Sequence, residues 1–199
     1  MQVGSMIVNI QEWDREALNE LLAQAEIYAK RGLTEKGEIA PTLFMHGADD
    51  TAMLRAQGLT DDRSKDKFAA TARLMCLAHA ANATVFVSEG WMSVGKPGEG
   101  LDMSKPPSQR ADRQEILMIM GETRFESSTK LLPMLRSDAG KFLGFGEPRD
   151  LGDRVVGRFA HLLPENHPSI EQQRAAKELL HVVAREASPR REQERGYER

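Results

Sequence analysis

Apolar residues recur along this chain at two spacings, helical and alternating or continuous, and the order in which these follow one another indicates the fold class. Leu18, Leu21, Leu22, Ala25 and Tyr28 fall at helical intervals behind Asn9 and Glu12, which fit a capping box, with Gly32 as the expected stop. Thr42–His46 is a short extended run. Ala48-Asp49-Asp50 reads as a turn, and Thr51–Gln57 fits the second strand of a hairpin, although Ala52, Met53 and Leu54 also suit a helical turn. Asp61–Ser64 offers N-caps for a helix reaching about Ala81, with Phe68, Ala72, Met75, Cys76 and His79 along one stripe. Leu74, Leu77 and Ala78 widen that stripe, which predicts a helix covered on most sides in its C-terminal half.

Thr84–Val87 is a β-branched and aromatic run, Ile116–Met120 a continuous apolar one of central-strand character, and Ser127–Leu135 its antiparallel neighbour. Pro133 places that neighbour at a sheet edge or a bulge. Ser137–Gly140 turns the chain into Lys141–Phe145. Between these strands, Met92–Asp112 carries Gly95, Pro97, Gly98, Gly100, Pro106 and Pro107, and reads as a long loop of the functional kind. Two helices are expected to close the domain. Asp150 caps one with the stripe Leu151, Val155, Phe159 and Leu162, ended by Pro164. Pro168 starts the other, with Ala176, Leu179, Leu180 and Val183 on one face. The order predicts an α+β fold: a mainly antiparallel sheet of about five strands, packed by an N-terminal helix, a buried central helix and two C-terminal helices. Residues 1–187 make a single domain in this reading, and 188–199 a disordered polar tail.

Composition narrows the partners. The 199 residues are 40% hydrophobic, enough for a core, and the net charge of −3 demands neither nucleic acid nor an anionic membrane. Charge is uneven: residues 1–104 hold 10 basic and 15 acidic side chains, 105–158 hold 10 and 8, and 159–199 hold 7 and 7. The first eleven residues lack the basic start and long apolar core of a signal peptide. The longest uncharged internal run, Leu74–Ser88, is too short to span a bilayer. Cys76 is the one cysteine, which rules out an intramolecular disulfide and suits a reducing compartment. A soluble, cytoplasmic protein is expected.

Candidate chemistry is sparse. Gly90–Lys96 has the spacing of a phosphate-binding loop, but Pro97 stands where the magnesium-binding hydroxyl belongs and Gly98-Glu99-Gly100 cannot open the required helix. Gly144 and Gly146 open no dinucleotide fingerprint, since Glu147-Pro148 blocks the helix start. Cys76 and His79 share a helical face, yet their apolar surroundings favour a buried structural thiol over a reactive one. His46 and Asp49 follow the first strand closely, and Glu89 at the end of a later strand could join them as acid–base groups. Arg110 and Arg113, with Trp91 across the long loop and Lys96 within it, form a candidate anion-binding set. No metal site and no cofactor are called for by any motif.

Two readings follow. The first is a non-catalytic protein-interaction or regulatory domain that binds a protein or self-associates, using the loop Met92–Asp112 and a sheet edge near Pro133. The alternative is a small-molecule-binding or metal-assisted hydrolytic enzyme built on His46, Asp49 and Glu89. Nucleic-acid binding ranks third, because the arginines of 185–199 are matched by glutamates.

Overall fold

The computed structural model describes residues 10–48, 50–93, 104–152 and 157–187. Three α-helices flank a curled antiparallel sheet. In chain order the elements are α1 (Ile10–Lys36), β1 (Thr42–His46), β2 (Thr51–Arg55), α2 (Asp62–Ala78), β3 (Ala83–Met92), a 3-10 turn (Pro107–Gln109), β4 (Gln114–Thr123), β5 (Ser127–Arg136), β6 (Phe142–Phe145), β7 (Arg149–Asp150) and α3 (Ile170–Ala187). The sheet runs β2-β1-β3-β4-β5-β6, and β7 pairs with β5. No helix among the described residues is long and apolar enough to cross a membrane.

Strand alternation gives the sheet two faces, and each has its own core. Phe44, Val85, Val87, Leu117, Ile119, Leu132 and Met134 pack under α1, which turns Ala17, Leu18, Leu21, Ala25, Ala29 and Leu33 towards them. Leu43, Met45 and Phe86 point the other way, against Phe68, Ala72 and Cys76 of α2, with Leu162 and Phe159 from the segment that precedes α3. Phe86 and Phe159 are tilted against each other with ring centroids 4.6 Å apart.

Local signals were followed closely at α2. Asp61 caps it in a reciprocal box with Ser64, whose N–H donates to the Asp61 carboxylate at 2.6 Å. A second box starts α3: the Gln172 N–H donates to Ser169 Oγ at 3.2 Å, and the Ser169 N–H to Gln172 Oε1 at 2.8 Å. Helix α1 differs from expectation at its end, passing through Gly32 to Lys36. The stop is Gly37, in the left-handed region at φ 77°, with its N–H on Leu33 O at 3.1 Å. Gly32 serves the return of the chain instead, since a Cβ there would lie 2.6 Å from Ile39 Cγ2. The Asn9 cap lies outside the described residues.

Four further expectations are corrected. The sheet has six strands plus the short β7, more than the five or so anticipated. Arg149–Asp150 joins it as β7, where a helix cap was expected. The first of the two C-terminal helices is not formed by the described parts of its span, because the side chain of Glu122 takes the backbone N–H groups that helical bonds would use. Glu122 accepts from His161, Leu162 and Leu163 at 2.8, 2.6 and 2.9 Å, and His161 adopts a positive φ of 54°. Phe159 and Leu162 therefore enter the core from an irregular segment. Pro133, finally, is not at an edge. β5 is paired by β4 on one side and by β6 and β7 on the other, and Pro133 occupies the gap between those two short partners. Its carbonyl accepts from Gly146 N–H at 2.8 Å. In an antiparallel strand a residue's N–H and C=O point to the same side, so its missing donor falls where the ladder is already interrupted.

Candidate functional site

The residues singled out from sequence fall at two opposite ends of the sheet. His46 ends β1 opposite Ala83, the first residue of β3, whereas Glu89 lies six residues further along β3. At the rise of an extended strand this separates them by about 20 Å on the same face. The structure does not bring them together, and Asp49 lies outside the described residues.

What surrounds His46 is a chain of polar side chains that runs into the protein. Asn82, in the short link between α2 and β3, donates from Nδ2 to Asp14 Oδ1 at 2.9 Å. Its Oδ1 lies 3.0 Å from His46 Nδ1. Asp14 sits on the buried stripe of α1 and is 2% exposed. A carboxylate only accepts hydrogen bonds, so the Asn82 amide must turn its NH2 towards Asp14 and its oxygen towards the imidazole. His46 Nδ1 is then the donor, and in the neutral ring Nε2 carries the free lone pair. The indole of Trp13 meets the His46 ring edge to face at 5.9 Å and is itself 45% exposed. Arg124 closes the same end of the sheet, donating to Ala81 O at 2.6 Å. Burial pulls its guanidinium below the usual arginine range while the nearby Asp14 works against that shift, and its Nε is buried without a partner among the described residues. His79 caps α2 with Nδ1 3.2 Å from Asp50 Oδ1, so its imidazole pairs with a carboxylate and not with Cys76. Burial pushes the Cys76 thiol up to about 12.

Chemically this end offers an oriented imidazole with one open nitrogen beside an exposed indole. Asp14 and Asn82 were missed as site residues. Asp14 had a readable signal: it sits one helical turn before Ala17 and Leu18, on the apolar stripe of α1, where a carboxylate needs a partner.

The other end holds Glu89 and the arginines. Arg136 makes a fork with Glu115, from Nε at 2.6 Å and Nη2 at 2.8 Å, and donates from Nη1 to the carbonyls of Gly37 and Gly140 at 3.0 and 3.3 Å. Glu89 lies 3.6 Å from the same guanidinium and accepts the Ile39 N–H. Burial raises its carboxyl above the usual range, against the pull of that N–H and of Arg136. Arg113 stacks over Trp91 at 4.7 Å and donates to Ser108 O, and Arg110 donates to Lys105 O at 3.0 Å. Trp91 and Arg113 are thus brought together, each as the other's partner, while Lys96 lies outside the described residues. This cluster ties the start of β4 and the end of β5 to the end of α1.

Among the described residues no three His, Cys, Asp or Glu side chains are grouped to hold a metal ion. Two open grooves lie away from His46, one lined by Lys36, Pro41, Arg55 and Gly58, the other by Lys30, Leu132, Phe142 and Phe145. No protein family, no curated protein and no solved structure matches this chain, so its function is read from its own geometry.

Proposed function

We propose that this chain is a non-catalytic protein-interaction domain whose contact surface is the outer face of α3. One observation carries the reading. Helix α3 spans 18 residues, yet Ala176 is its one buried residue among those whose side chains are described, and Leu179 and Val182 remain 54% and 51% exposed. A helix draws most of its stability from tertiary packing of an apolar face, and α3 carries more apolar surface than it packs. The sequence placed the contact at the loop Met92–Asp112 and a sheet edge near Pro133. The pairing of β5 removes the edge, and α3 takes its place. A reducing, cytoplasmic setting accompanies this reading because Cys76 is buried as a thiol. Nucleic acid is not the expected partner of a helix whose charges are mixed. The test is cross-linking capture by the purified full chain, compared with the double variant Leu179→Glu/Val182→Glu. Loss of the captured set, copies of the chain itself included, supports the proposal, and an unchanged set overturns it.

The Asp14–Asn82–His46 chain favours a second reading, a small-molecule site at the His46 end with Trp13 as its wall. A mass adduct retained in native mass spectrometry and lost in His46→Ala would move the assignment there. An adduct that survives the substitution would remove it.

A further inference from the structure

We infer that the partner of the exposed α3 ridge is a second copy of this chain, held as an antiparallel helix pair about a two-fold axis beside residues 178 and 179. This rests on the interaction reading above and gives that surface one occupant.

At 100° per residue, Ala175, Leu179 and Val182 fall within about 60° of one another on the helix, displaced by about 110° from the stripe that faces α2. That inner stripe is Gln173, Ala176, Leu180 and Val183, the part-buried and buried positions of α3. The two together cover about half the circumference, where a helix with one packed face needs about 100°. Ala175, Glu171 and Arg185 are all exposed.

The outer ridge is complementary to itself. In an antiparallel pair centred beside Leu179, that side chain meets its own symmetry mate, and Ala175 meets the partner's Val182, small against large. The same centre sets Glu171 opposite the partner's Arg185, four turns from the other such pair. Neither Glu171 nor Arg185 has an ion-pair partner among the described residues. Apolar and charged positions thus share one centre, which a two-fold contact between identical helices requires and an unrelated partner would not. A parallel pair would set Glu171 against Glu171 and align the helix dipoles unfavourably. Antiparallel pairing opposes both.

The test uses the full chain. Leu179→Cys introduces a thiol at the axis in a protein whose own Cys76 is buried. Mild oxidation is expected to give a covalent dimer, whereas Lys177→Cys, on the opposite side of the helix, forms no covalent dimer. In sedimentation experiments Glu171→Arg and Arg185→Glu each weaken association about tenfold, and the double reversal restores it towards the parent value. All four substitutions lie on exposed positions, and circular dichroism checks that the fold is kept. A chain that remains monomeric up to about 0.5 mM overturns the proposal. So does a dimer that neither cross-links at position 179 nor responds to the charge reversals. If the chain is monomeric but Leu179→Glu/Val182→Glu still abolishes capture of a different protein, self-pairing falls and the interaction reading stands. If capture is unaffected as well, both fall.

Discussion

Glu122→Gln tests the claim that one carboxylate holds the segment before α3 in place. Oε1 of Glu122 accepts the N–H groups of Leu162 and Leu163, and Oε2 accepts that of His161. Glutamine keeps the size of the side chain and one accepting oxygen, so two of the three bonds survive without their charge. The third meets an NH2 group that cannot accept. Hydrogen bonds to a charged group contribute about 1.5–3 kcal/mol and neutral ones about 1, so weakening two bonds and losing one costs about 2.5 kcal/mol even at the lower figure. That is a large share of a typical folding stability of about 5–15 kcal/mol. Urea unfolding should show a midpoint lowered by about 1 M at unchanged slope. Amide hydrogen exchange should show residues 161–163 losing protection more than the strands do. A midpoint shift worth less than about 0.5 kcal/mol, with exchange at 161–163 unaltered, would refute the clamp.

Two further outcomes are expected. Asn82→Leu strands the Asp14 carboxylate, 2% exposed, and the His46 Nδ1 donor, and should cost about 2–4 kcal/mol in the same unfolding assay; in the parent protein, nitrogen NMR of neutral His46 should show the proton on Nδ1, and the opposite tautomer would sink the relay. Cys76 should resist alkylation in the folded state and react only on unfolding, because burial lifts its pKa from an ordinary 9.0 to about 12; the stability drawn from the neutral buried thiol is complete below pH 9 and is lost as pH rises from there towards 12, so a Cys76→Ala variant should show a flatter alkaline decline.

Where neighbouring residues decided the structure, the sequence was legible. The N-cap candidates at Asp61–Ser64 announced α2, the two short runs Thr42–His46 and Thr51–Arg55 pair as β1 and β2, and the apolar run 116–120 lies inside a central strand. The failures came from interactions between distant residues. Leu151, Phe159 and Leu162 have helical spacing, but Glu122, some forty positions earlier, claims the backbone donors of the last part of that span. His46 ends β1 and Glu89 lies in the last part of β3, and only the pairing register reveals that these positions fall towards opposite ends of the sheet. The direction of the Asn82 amide is fixed by Asp14, 68 positions earlier in the chain. Trp91 of β3 and Arg113, just before β4, come together because they flank one loop.

The gap at Pro133 bears on how the protein behaves when crowded. A ten-residue strand such as β5 would, if left bare, offer a row of backbone donors and acceptors to any extended chain it met. Instead its outer flank is divided between a four-residue strand and a two-residue strand, with a residue that has no N–H between them. The border of the sheet is therefore a series of short steps, none long enough to nucleate fibril-like stacking. Leu143, 66% exposed on β6, can face water there without inviting strand-by-strand growth.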